Sequence, residues 1–104
     1  MKEEYIELPL VKNEENHRFE LEVDGYKAFI DYQERNNIIR LIHTESPEEL
    51  SGRGVATALI EKTLVYLEEN KYELVPLCPL VFAYIKKHPE WKRIVSPIFK
   101  GFDA

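Results

Sequence analysis

The sequence predicts an α+β fold: an antiparallel β-meander, then a β-α-β crossover, a second short helix and a final strand. Three observations predict it. Apolar and polar residues alternate along Arg18–Val23 and again along Tyr26–Tyr32, on either side of Asp24-Gly25, a pair that favours a two-residue hairpin turn. Apolar residues recur at Val55, Ala56, Leu59, Ile60, Leu64 and Leu67, which is the spacing of one helix face. Between these regions lies Leu50-Ser51-Gly52-Arg53-Gly54-Val55-Ala56, a glycine loop leading directly into the helix.

Taken in order, Tyr5–Leu8 reads as a short first strand, ended or held at an edge by Pro9. Val11–Asn16 is polar and reads as a turn. Arg18–Val23 puts Phe19, Leu21 and Val23 on one face, and the return strand Tyr26–Tyr32 groups Tyr26, Ala28, Ile30 and Tyr32. Glu34–Asn37 turns the chain into a third strand, Ile38–His43, whose continuous apolar character predicts that both faces are covered. Thr44–Ser51 is a loop, and the helix covers roughly Arg53–Asn70, with Asn70 as its stop. Glu73–Cys78 is the next strand, parallel to the third if the crossover is right-handed. Pro76 conflicts with full pairing, because proline has no ladder donor. Either this strand is an edge or it parts from its neighbour at Pro76, leaving a gap beside the glycine loop. Pro79 suits the first position of a short helix, Pro79–Lys87, which Pro89 stops. Trp91–Val95 reads as a last strand. Pro97–Ala104 is a flexible tail unless Phe99 and Phe102 dock it.

The chain of 104 residues is expected to be one domain, residues 1–104, with a small core. Nineteen acidic residues against 14 basic ones give a formal charge of −5, which argues against a nucleic-acid partner, since a backbone binder needs a basic footprint. Cys78 is the single cysteine. It excludes an internal disulfide framework and suits a reducing compartment. No basic-then-apolar leader is visible at the N-terminus and no uncharged apolar run reaches membrane-spanning length. A cytoplasmic protein without a membrane partner is therefore expected. The spacing of His17, His43, Cys78 and His88 matches no zinc pattern, so no metal is expected.

The glycine loop carries the chemistry. Gly52 and Gly54 let backbone N–H groups point inward without side-chain bulk. A helix start adds unpaired N–H groups and the positive end of a dipole. Together they suit an anion, most naturally phosphate, although glycine pairs before helices also serve as plain loop closures. The third glycine of a dinucleotide fingerprint is missing, as is the Gly-Lys-Ser/Thr of a P-loop. Arg53 either faces the phosphate or is solvated surface. Glu48 and Glu49 are expected to point away from a bound anion.

With Gly54 and Ala56 in place after Ser51-Gly52-Arg53, the sequence resembles the pyrophosphate loop of the GCN5-related N-acetyltransferase superfamily, and more closely its short, single-domain GNAT-like branch. His43-Thr44-Glu45 with Pro47 and Gly52-Arg53-Gly54 resembles one signature of that branch. Cys78-Pro79, Tyr84 and Lys86-Lys87-His88-Pro89-Glu90-Trp91 resemble another. The likeness covers about residues 17 to 93. Ser51 departs from the usual glutamine or arginine, which leaves the anion site to backbone donors. The resemblance implies a GNAT-like fold with splayed parallel strands, the pantetheine arm of acetyl-CoA or CoA lying in the gap. It also implies a cleft open on the acceptor side, for a protein or loosely held small amine.

On that reading, Ser51, Gly52, Arg53, Gly54, Val55 and Ala56 hold the pyrophosphate. A backbone N–H near Leu77 polarises the thioester carbonyl. Cys78 either accepts the acetyl group, lines the thioester pocket, or is a small buried hydrophobe. His43 is a candidate general base or a hydrogen-bonded structural group. Tyr84 either protonates the departing thiolate, as a tyrosine on the corresponding helix does in many superfamily members, or packs in the core. Lys86 and Lys87 lie near the ribose phosphates or form a solvated face, and His17 and His88 are expected at the surface. Three functions follow: an acetyl-CoA-dependent N-acetyltransferase, a CoA or acyl-CoA-binding module without turnover, or an interaction protein that keeps the fold.

Overall fold

A computed structural model describes residues 1–103, so Ala104 of the predicted tail lies outside the described residues. A five-stranded sheet has the order β1-β2-β3-β4-β5, made by Val11–Asn13, Arg18–Val23, Tyr26–Arg35, Ile38–Glu45 and Glu73–Pro76. The first four strands are antiparallel neighbours and β5 runs parallel to β4. Helices α1 (Glu3–Ile6), α2 (Val55–Glu69) and α3 (Pro79–Lys87) and two 3-10 turns, Glu48–Leu50 and Pro89–Ile94, complete the regular elements of the described residues.

The hairpin forms as the alternation predicts. Asp24 and Gly25 have φ of 52° and 82°, the left-handed pair that matches the twist of the flanking strands. Phe19, Leu21, Ala28, Ile30, Ile39 and Leu41 are fully buried on one face of the sheet. Ala58, Leu59, Leu64 and Leu67 of α2 and Val81 and Ile85 of α3 join them in one continuous core. The other face is not covered as the apolar run of β4 suggested. Ile38, Arg40 and Ile42 are each part-exposed there.

Four elements differ from expectation, each for a physical reason. Tyr5–Leu8 is not a strand. Its place at the sheet edge is taken by Val11–Asn13, which pairs with β2, while Tyr5 turns inward from α1 and is buried. The turn expected over Val11–Asn16 thus begins as a strand and closes later, where the Asn16 N–H donates to the Asn13 side-chain oxygen at 3.0 Å. Trp91–Val95 is not a strand either. Pro89–Ile94 winds as a 3-10 turn that buries Trp91 and Ile94, three residues apart, the repeat of that helix. Contact with the sheet is limited, among the described residues, to an isolated parallel bridge between Val95 and Leu74, whose carbonyl accepts from the Ser96 N–H at 2.8 Å. Finally, α2 begins at Val55 rather than Arg53, because Gly54 caps it in the left-handed region. At the far end, Phe102 stacks on Phe82 with ring centroids 4.5 Å apart, the docked arrangement of the tail.

Pro76 answers to both alternatives read from the sequence. β5 is the outermost strand, and its register with β4 ends at Leu41–Pro76. One further bond, from the Cys78 N–H to the Leu41 carbonyl at 2.8 Å, is the last across the seam. β4 continues through Ile42–Glu45 with no strand alongside on that edge among the described residues.

Candidate functional site

The loop before α2 is held open by two glycines, Gly52 at φ 75° and Gly54 at φ 74°, a conformation that other residues resist. The Ser51 N–H donates to Glu48 and the Arg53 N–H to Leu50. Among the described residues, no protein acceptor meets the N–H groups of Gly52, Gly54, Val55, Ala56 and Thr57. These residues line a cavity of about 240 Å³, together with Ser46, Pro47, Glu48, Leu50 and Ser51; Glu48 thus borders the space it was expected to avoid, carried there by the short turn Glu48–Leu50, whereas Glu49 does not line it. Among the described residues these donors are therefore unpaired, on residues that border open space at the positive end of a 15-residue helix.

Arg53 does not face that space. Its guanidinium lies 2.7 Å from the Asp24 carboxylate in the β2–β3 turn, and the Asp24 hydrogen bond raises its pKa further. A different cation is at hand. A Cβ placed on Gly54 would stand 3.7 Å from Lys2 Cε, so the N-terminal lysine lies against the loop.

The seam side is organised by a β-bulge. Tyr32 pairs with Leu41 but Asp31 pairs with His43, so Ile42 is an extra residue on β4. The bulge resets the alternation. Thr44 becomes buried and His43 exposed. Cys78, 1% exposed, has its Sγ 3.2 Å from Thr44 Oγ1. His43 and Cys78 are thus not brought together. His43 Nε2 lies 3.5 Å from Glu45 instead. Leu77 departs from its expected role as well. Its N–H donates to the Val75 carbonyl at 3.1 Å, in a tight turn over Pro76, so that donor is not free for a thioester carbonyl. Tyr84 lies beyond Cys78 on α3 and faces α2, its ring 4.3 Å from that of His88. Burial, and then Glu61 and Glu90, raise the Tyr84 pKa, which keeps the phenol protonated.

Residues 18–94 match the family model described as GCN5-related N-acetyl-transferase. The chain belongs to the GCN5-related N-acetyltransferase superfamily. A solved structure supports the fold: the solution structure of a Staphylococcus aureus protein described as a GCN5-like N-acetyltransferase candidate. It is 22% identical, with a TM-score of 0.64, and the match covers 90% of this chain and 93% of that one.

In this N-acetyltransferase fold a second cavity lies beside the first turn of α2. Ala56 and Thr57 also line a space of about 330 Å³ whose other lining residues include Ala83, Tyr84, Lys87 and His88. Of the two lysines on α3, Lys87 borders this space. Lys86 instead lies over the Phe82 ring, 5.7 Å from its centroid. Sequence reasoning missed Thr44, Thr57, Lys2 and Tyr5. Thr57 was findable as the third residue of the helix, where an N–H is always left over. Thr44 stood within the His43-Thr44-Glu45 signature without a role of its own, and nothing in the local pattern announced Lys2 or Tyr5.

Proposed function

We propose that this chain binds acetyl-CoA and transfers its acetyl group to an amine. The observation that carries the reading is the set of five unpaired backbone N–H groups around Gly52, Gly54 and the start of α2, in a chain of this superfamily. The pyrophosphate is bound by those donors, with Lys2 beside them. The adenosine end lies toward Lys87, along the cavity that Ala56 and Thr57 share with the loop. The pantetheine arm runs to the place where β5 leaves β4, and the thioester rests near Cys78 and Thr44.

The amine reaches the thioester carbonyl directly. The nitrogen lone pair forms the new C–N bond, the amine proton passes to a base, and the C–S bond breaks to release the CoA thiolate. His43, exposed at the end of β4, takes the amine proton; Tyr84 lines the cavity given to the adenosine end rather than the thioester end, so the released thiolate takes its proton from solvent. Backbone donors on the unpaired edge of β4 beyond Leu41 polarise the carbonyl in place of Leu77. A covalent route through Cys78 is disfavoured, because the nearest polar group to its buried thiol is the Thr44 hydroxyl, which is not a base. The donor is a small-molecule acyl-CoA, and the amine acceptor is a protein or a small amine held in a shallow cleft.

The test is release of free CoA thiol from acetyl-CoA in the presence of lysine peptides and polyamines. Amine-dependent release is expected, and His43→Gln lowers kcat by about a hundredfold with CoA affinity unchanged. A second reading is a CoA-binding module without turnover, favoured by the Leu77 N–H already bonded within its own turn. CoA binding without thiol release from any amine selects it.

A further inference from the structure

The family match begins at residue 18, yet the segment before it reaches the glycine loop. Tyr5 is 1% exposed, and its hydroxyl donates to the Arg53 carbonyl oxygen at 2.8 Å. Arg53 stands between the two left-handed glycines. In a planar trans peptide the C=O and N–H point in opposite directions. Holding the Arg53 carbonyl toward Tyr5 therefore turns the Gly54 N–H away from Tyr5, on the side where Gly54 lines the open cavity. Without that hold, rotation of the Arg53–Gly54 peptide is the motion that glycine permits, since it accepts either sign of φ. The rotated peptide would present a carbonyl oxygen to the anion in place of a donor.

We propose that Tyr5 is a positioning residue for the diphosphate: its hydroxyl locks the Arg53–Gly54 peptide with the Gly54 N–H facing the ligand. The proposal rests on the acyl-CoA reading above. Its test compares full-length wild type, Tyr5→Phe and Tyr72→Phe. The second variant removes a phenol hydrogen bond to Glu34 away from the loop, and so controls for a purely structural loss. CoA affinity is measured by calorimetry, and the Gly54 amide cross-peak and melting temperature are read in the ligand-free proteins.

Tyr5→Phe keeps its ring in the core. It is expected to bind CoA about tenfold more weakly, the loss of one oriented donor to a charged acceptor, and to shift the Gly54 cross-peak before any ligand is added. Tyr72→Phe retains wild-type affinity. Wild-type affinity in Tyr5→Phe with an unmoved Gly54 cross-peak overturns the proposal. So does a weakening that Tyr72→Phe reproduces at equal loss of melting temperature. Absence of CoA binding by wild type is a different failure, which removes the acyl-CoA reading and this role with it.

Discussion

Arg53 and Cys78 are the two residues whose chemistry depends most on what lies next to them. A cation in a glycine loop invites a phosphate, but the neighbouring hairpin supplies Asp24 at 2.7 Å, and the pairing was not visible from either segment alone. Cys78 was read as a thiol at a helix start, where reactivity is often raised. In the fold it is a buried group against the Thr44 hydroxyl, and Thr44 faces it only because the bulge at Ile42 resets the strand's alternation. Intact-mass analysis after incubation with acetyl-CoA is therefore expected to show no stable acetyl adduct on Cys78, and Cys78→Ala is expected to keep CoA affinity within about threefold, because the diphosphate grip lies elsewhere. An added acetyl group that Cys78→Ala abolishes would reverse this assignment.

The elements were legible where one period dominated. The alternation of β2 and β3, the Asp24-Gly25 turn and the apolar stripe of α2 all fold as their spacing dictates. Short segments were not legible. Val11–Asn13 is a strand only because β2 offers it an edge, and Trp91–Ile94 is a 3-10 turn whose three-residue repeat a strand reading misses. That short edge strand is tied down by polar contacts. Lys12 Nζ lies 2.8 Å from Glu34 on β3, and the Tyr72 hydroxyl donates to the other Glu34 oxygen at 3.1 Å. The Lys12 hydrogen bond lowers the Glu34 pKa from its ordinary 4.5. A carboxylate with a lowered folded pKa contributes stability that is present above its unfolded pKa and lost as pH falls through the folded one. Urea titrations are thus expected to show Glu34→Gln less stable than wild type at pH 7, by under about 1 kcal/mol because the pair is partly solvated. The difference shrinks as pH drops below about 4.5. A gap that persists unchanged at pH 3 would assign the effect to packing instead.

At the scale of the molecule, the order of strands and helices fixes where a ligand can go. Among the described residues, a parallel pair that ends at Leu41–Pro76 leaves one edge of β4 bare, and the crossover helix between those strands starts with donors that no protein group meets. Both features were readable in the sequence, as Pro76 and as the two glycines. The contribution of the N-terminus was not: Lys2 and Tyr5 reach the loop across 48 or more positions of chain, and no local pattern encodes that approach. Among the described residues no helix is long and apolar enough to cross a membrane. The proposed site has its diphosphate grip at the glycine loop, its adenosine end between α2 and α3 and its thioester end where β5 leaves β4. Calorimetry with CoA and acetyl-CoA on wild type and Gly54→Glu tests it most directly. The account predicts binding at about 1–100 μM by wild type and none by Gly54→Glu, whose carboxylate sits among the anion donors; equal binding by both proteins, or no binding by wild type, would contradict it.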